Sequence, residues 1–186
     1  GLLGTVNGLG QLIAAPVIGR LSDRYGRRPL LIVAVSGTIL GFLILGFAKS
    51  LWMIFLSRAV DGLLGGNTAL ARAYITDITE PQDRAKSLGL IGAAFGLGFI
   101  IGPVMGGFLS LAGLNVPAFV AAALSIINLI GIIFWLPESL PPEDWQQRRT
   151  NPHTAFNLSN LLDEFRRPCV GPLLMMTLFY GFSFTL

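Results

Sequence analysis

The chain has 186 residues, of which 53% are hydrophobic and only 12% charged, with 23 glycines and a mean hydropathy of +0.68. Soluble domains carry about 25% charged residues, so this composition excludes an ordinary water-soluble globule and points to lipid as the main solvent. The formal net charge of +3 and the pI near 9.5 do not indicate a nucleic-acid binder, because the basic residues lie in gaps between apolar stretches and not on one face of a polar domain.

A hydrocarbon core about 30 Å thick takes about 20 apolar residues per helical crossing, and the chain divides accordingly. The first span, Gly1–Ile18, begins without an initiator methionine, as an internal piece of a longer protein would. Its Asn7 and Gln11, four residues apart, form a polar stripe that either faces a substrate cavity or bonds a neighbouring helix. The stretch "GRLSDRYGRRP" from Gly19 to Pro29 reads as a basic loop, with Gly26 free to take positive φ and Pro29 suited to the first turn of the next helix. Spans follow at Pro29–Ala48, Leu51–Ile78, Ser87–Leu111, Pro117–Leu136 and Cys169–Leu186, the last truncated.

The third of these spans is interrupted by Arg58, Asp61 and Arg72. The distribution of positive charge favours its crossing. With all six spans in place, Arg20, Arg24, Arg27, Arg28, Arg84, Lys86, Arg148, Arg149, Arg166 and Arg167 share one side and Lys49 has the other to itself. That side is the cytoplasm, and it receives loops 19–28, 79–86 and 137–167. An ionisable group inside a span costs about 2.5–3.5 kcal/mol on insertion scales and is a functional hypothesis by default. At about 1.5 Å per residue from Leu51, Arg58 lies about 10 Å deep and Asp61 about 15 Å, near the midplane. At about 100° per residue Arg58, Asp61, Gly62, Gly65, Ala69 and Arg72 share one face, which faces the protein interior. Asn67 lies opposite and suits an interhelical hydrogen bond.

In the next span Gly98, Gly102 and Gly106 recur every four residues and Pro103 removes a helical hydrogen bond, a pattern for close backbone approach and a bend. Residues 137–167 read as a polar cytoplasmic linker between a bundle over residues 1–136 and the start of a second at 168–186. The lone Cys169 and lone His153 have no partners at ligand spacing, so neither a disulfide nor a metal site is expected. No cofactor is expected either. With no nucleophile–base pair and no phosphate-cradling loop, the chain does not read as an enzyme.

Three stretches carry a resemblance. "GRLSDRYGRRPLL" resembles the loop motif between the second and third helices of the major facilitator superfamily. "LSRAVDGLLGGNTA" is similar to that superfamily's fourth-helix motif, and "GLGFIIGPVMGG" to the fifth-helix motif of its drug/proton antiporter branch. The run "ARAYITDITEPQDRAKSLGLIGAAFGLGFIIGPVMGGF" looks like the tetracycline/proton antiporters, and "LPES" follows the sixth helix in the expected place.

The resemblance implies an all-α membrane protein, a bundle of twelve helices in two halves, of which this chain covers the second helix to the start of the seventh. It implies a monomer at full length in the plasma (inner) membrane, whose partners are lipid, protons and a small amphipathic or drug-like compound exported by proton antiport. Proton-coupled uptake of a sugar or metabolite is the nearest alternative, since the sugar branch also has "GRR" loops and a "PES" ending. A non-transporting receptor or sensor is the alternative of another class. The resemblance assigns a cytoplasmic latch to Gly19, Asp23, Arg27 and Asp77, and proton movement to Arg58. It assigns packing of the two halves to Gly98, Gly102, Pro103, Gly106 and Gly107. Asp61 departs from the family motif, where it is either a titrating site or half of a permanent pair with Arg58; Arg72 either attracts an anionic group or snorkels. The tetracycline antiporters carry a third-helix carboxylate at the place held here by Gly41, which leaves the substrate open.

Overall fold

The protein is described by a computed structural model over residues 2–139, all helical among these described residues. Six helices follow in order: α1 Leu2–Tyr25, α2 Arg27–Gly46, α3 Leu51–Leu64, α4 Asn67–Ile78, α5 Arg84–Ser110 and α6 Val116–Trp135. The expected span Cys169–Leu186, the start of the second bundle and the linker beyond Ser139 lie outside the described residues.

The basic stretch after the first span is not an extended loop. α1 continues through it to Tyr25, the turn is Gly26 alone, and α2 starts at Arg27. Arginine is a good helix former, and Arg24 sits in the last turn of α1, where a cation complements the helix dipole. Gly26 has φ 101°, the left-handed conformation that ends one helix and admits the next without a longer connection.

The third span also departs from expectation: it is two helices in series, α3 and α4, separated at Gly65–Gly66. α1, α2, α5 and α6 are each long and apolar enough to cross a membrane, whereas α3 and α4, at 14 and 12 residues, are each too short to cross alone. Two consecutive glycines give the backbone the freedom to break there, and any Cβ at Gly65 would overlap the Asp61 carbonyl oxygen. The expected single stripe is therefore divided, with Arg58, Asp61 and Gly62 on α3 and Ala69 and Arg72 on α4.

α2 is the centre of the bundle and packs on α3 and α6, while α1 packs chiefly on α3. The buried core is built around α2 from Leu30, Leu31, Ala34, Val35 and Ile39, closed by Leu70 and Tyr74 of α4 and Ile132 of α6. Ser50 caps α3, its hydroxyl accepting from the Met53 N–H at 3.4 Å. Large apolar residues such as Trp52, Phe99, Ile100, Phe134 and Trp135 point outward. In water such a surface would aggregate, but for a chain solvated by hydrocarbon it is the expected exterior. α5 has no buried residue, and none of its glycines, including Gly98, Gly102, Gly106 and Gly107, has a described neighbour where a Cβ would stand. The glycines of the fifth-helix motif thus mark no close helix approach among the described residues.

The close approach occurs elsewhere, at the crossing of α1 and α3. A Cβ on Gly62 would stand 2.6 Å from the Asn7 carbonyl oxygen, and one on Gly10 would stand 3.0 Å from the Gly62 carbonyl carbon. Small residues drive helix association in lipid by exactly such backbone contact, without a hydrophobic contribution. Gly62→Ala raises helix propensity by about 1 kcal/mol but forces the two backbones apart. Net destabilisation of about 1–2 kcal/mol is expected, read as a lower melting temperature of the detergent-solubilised full-length protein.

Candidate functional site

Two polar clusters are assembled from residues far apart in sequence. At the Arg24–Arg28 end of the bundle, Arg27 is buried, and its guanidinium is held by Asp23 at 2.7 Å, by Asp77 of α4 at 2.9 Å and by the Ser22 hydroxyl at 2.5 Å. Asp23 and Arg27 belong to successive helices, and only the sharp turn at Gly26 folds them into the same corner. Ser22 is fully buried and itself donates to the Gly19 carbonyl at 2.7 Å. Charge-assisted bonds of this kind are short and strong, and removing one partner leaves a desolvated charge behind. Gly19 has no described neighbour within 4 Å, so its face approaches nothing in this half.

One residue of this cluster was not legible as a site residue. Glu138, of the "LPES" stretch after α6, lays its carboxylate across the start of α2, where it accepts the Arg27 N–H at 2.8 Å and the Arg28 N–H at 3.2 Å. A carboxylate at a helix N-terminus satisfies orphan donors and complements the dipole. The contact explains the glycine at 26, because a Cβ there would stand 2.6 Å from the Glu138 Oε2. Two further bonds fasten the same corner, from the Tyr74 hydroxyl to the Pro137 carbonyl at 2.9 Å and from the Arg28 guanidinium to the Ile133 carbonyl at 2.6 Å. The sequence motif was visible, but nothing in it says that the chain after α6 returns to the turn before α2.

The second cluster lies at the depth of the α1–α3 crossing. Gln11 donates to the Asn7 carboxamide oxygen at 2.9 Å, and Asn7 donates to Asp61 Oδ2, also at 2.9 Å. Arg58 Nη1 stands 3.8 Å from the same Asp61 oxygen. The Arg58 guanidinium lies over the Phe42 ring, 5.8 Å from its centre, and its Nη2 is buried without a hydrogen-bond partner among the described residues. Asp61 occupies the space that Gly41 leaves empty: a Cβ at 41 would stand 3.0 Å from the Asp61 Cβ. Asn67 donates to Thr38 of α2 at 2.9 Å, an interhelical bond away from this cluster. Arg72 is not part of either cluster and lines a cleft with Gln11 beside the α3–α4 break.

The sequence profile of the Major Facilitator Superfamily matches residues 1–186. The chain belongs to the major facilitator superfamily. It is 40% identical over 157 residues to the tetracycline resistance protein, class B, of Escherichia coli, covering 84% of this chain and 39% of that protein. It is 38% identical over 143 residues to major facilitator superfamily domain-containing protein 10 of Bos taurus, covering 77% of this chain and 31% of that protein. The fold matches the crystal structure of the human organic anion transporter MFSD10 (TETRAN) with a TM-score of 0.72 at 31% identity, over 77% of this chain and 33% of that one. The chain thus spans between three and four tenths of the length of these curated relatives. The stretches that resemble the superfamily's loop motif between the second and third helices and its fourth- and fifth-helix motifs fall on the α1–α2 corner, on α3–α4 and on α5, and the protein is a multi-pass membrane protein.

Glu138→Ala removes the acceptor for the first N–H groups of α2. A loss of about 0.5–2 kcal/mol, the range of a lost helix cap, is expected. It is measured as a lower melting temperature of the full-length protein, with partial recovery in Glu138→Gln, whose amide oxygen still accepts.

Proposed function

We propose that this chain is the central part of a secondary transporter that exports a small amphipathic compound in exchange for protons by alternating access. The observation that carries the reading is Asp61, a carboxylate near the midplane held by Asn7 and facing Arg58 at a glycine-lined helix crossing. An ionisable pair placed there is expensive in lipid and is retained where it lines a working interior. The relatives named as tetracycline resistance proteins support export, and the relative titled an organic anion transporter widens the substrate class beyond tetracycline.

Asp61 takes the place of the carboxylate that the tetracycline antiporters carry on the third helix. In this chain α2 has Gly41 at that position, and the missing side chain leaves the pocket into which α3 sends Asp61. A carboxylate donated from the neighbouring helix reaches the same region of the bundle. Protonation would weaken the bond from Asn7 and the attraction of Arg58, so the charge state of Asp61 would be communicated to the α1–α3 crossing. The break at Gly65–Gly66 supports the reading as well, since discontinuous helices at midplane depth are how transporters present backbone groups to a cavity.

The Arg27 corner serves as the latch. Its bonds to Asp23 and Asp77 join α1, α2 and α4, and the half-exposed Asp23 lies on the side that the other half of the transporter would approach. Rocking then moves these helices as a unit, with the latch formed in one state and open in the other.

Two outcomes are expected. In everted vesicles carrying the full-length protein, Asp61→Asn abolishes gradient-driven accumulation of tetracycline or of indole-3-acetate while substrate exchange persists; proton-driven accumulation at the wild-type level removes Asp61 from coupling. Asp23→Ala lowers turnover several-fold at unchanged membrane expression, and wild-type turnover counts against the latch.

A further inference from the structure

Where α3 gives way to α4, the structure opens a cleft of about 180 Å³ between this break and α1, lined by Gln11, Ala14, Gly66, Thr68 and Arg72 among others. Arg72 stands about 9 Å inside the end of α4 at Ile78, counting about 1.5 Å per residue. A guanidinium at that depth requires a counter-charge or water, and no carboxylate supplies one among the described residues. Asp61 is engaged by Asn7 and Arg58, and Asp77 by Arg27. Among the described residues Arg72 makes no ion pair, and it is exposed at the cleft wall, where the neutral Gln11 and Thr68 share the lining. The other wall residues are small, which leaves room for a planar head group beside the cation.

We infer that this cleft is an anion subsite, in which Arg72 pairs with the carboxylate or enolate of the transported compound while the apolar remainder of that compound lies in the wider cavity. The fork of a guanidinium matches a planar two-oxygen anion, whereas a neutral amide of the same shape satisfies only part of it. The subsite adjoins the coupling cluster through one residue, because Gln11 both lines the cleft and donates to Asn7, which in turn holds Asp61. Gln11, on the wall of the subsite, is therefore two hydrogen bonds from the proposed proton site. The inference rests on the transport reading for the identity of its ligand, but not for its test.

The test is equilibrium binding of radiolabelled indole-3-acetate to the purified full-length protein in detergent, with indole-3-acetamide as the uncharged competitor of the same shape. The wild type binds the acid about tenfold more tightly than the amide, the scale of one charge-assisted hydrogen bond. Arg72→Gln abolishes that preference by weakening acid binding more than amide binding, and Arg72→Lys retains part of it. Ala69→Asp, one turn before Arg72 on the same wall, supplies an internal carboxylate and excludes the acid without removing the cation. Equal binding of acid and amide by the wild type, no saturable binding of the acid, or unchanged acid binding in Arg72→Gln or Ala69→Asp overturns the proposal. If everted vesicles show no substrate-driven proton movement while the acid preference persists, the antiport reading falls and the subsite stands. If the preference is absent while antiport is present, the reverse holds.

Discussion

A guanidinium withdrawn from water at the end of a membrane bundle is stable only where the same chain replaces its hydration, and Arg27 is the point at which this demand organises the fold. Asp23 and Ser22 come from α1, Asp77 from α4, and the backbone of α2 around Arg27 is capped by Glu138 from beyond α6. Four segments are thereby drawn to one corner. The apolar core around Leu31, Ala34, Val35 and Leu70 lies next to it and positions the same helices. In lipid, burial of apolar surface does little to bring helices together, so specific polar closure of this kind, with small-residue contacts, determines which helices are neighbours.

The same constraint acts at the α1–α3 crossing with less charge. Asp61, Arg58, Asn7 and Gln11 form a chain in which each polar group is answered by the next, and the backbone approach of Gly10 and Gly62 brings α1 near enough for Asn7 to reach α3. The two clusters differ in how fully they are satisfied. Arg27 is surrounded, whereas Arg58 keeps one buried nitrogen without a partner among the described residues. The corner is closed on every side, while the pair between α1 and α3 is left incompletely satisfied among the described residues.

The legibility of this arrangement varied with the range of the interaction. Hydropathy placed α2, α5 and α6 to within a few residues, ended α1 seven residues early and read α3 and α4 as one span. The spacing of Asn7 and Gln11 announced a stripe, and Gly26 and Pro29 marked the start of the following helix. The break at Gly65–Gly66 was less visible, because a helix pattern passes smoothly over two glycines and only the fit of the backbone around Asp61 ends it there. Glu138 carried no local signal for its role. Its partner is the backbone of a helix more than a hundred positions away, and backbone donors leave no mark in a sequence. The glycines of α5 illustrate the opposite case: their periodicity was plain, yet no described helix meets them.

By itself, then, the sequence determined the solvent, the helical class and the superfamily, because hydrophobic length and short motifs are local properties of the chain. The tertiary structure alone decided that Asp61 fills the space over Gly41, that Glu138 closes the turn at Gly26, and that Arg72 lines a cleft apart from every carboxylate described. Each of these depends on the separation of atoms from different helices, and small residues set that separation by where they allow backbones to touch.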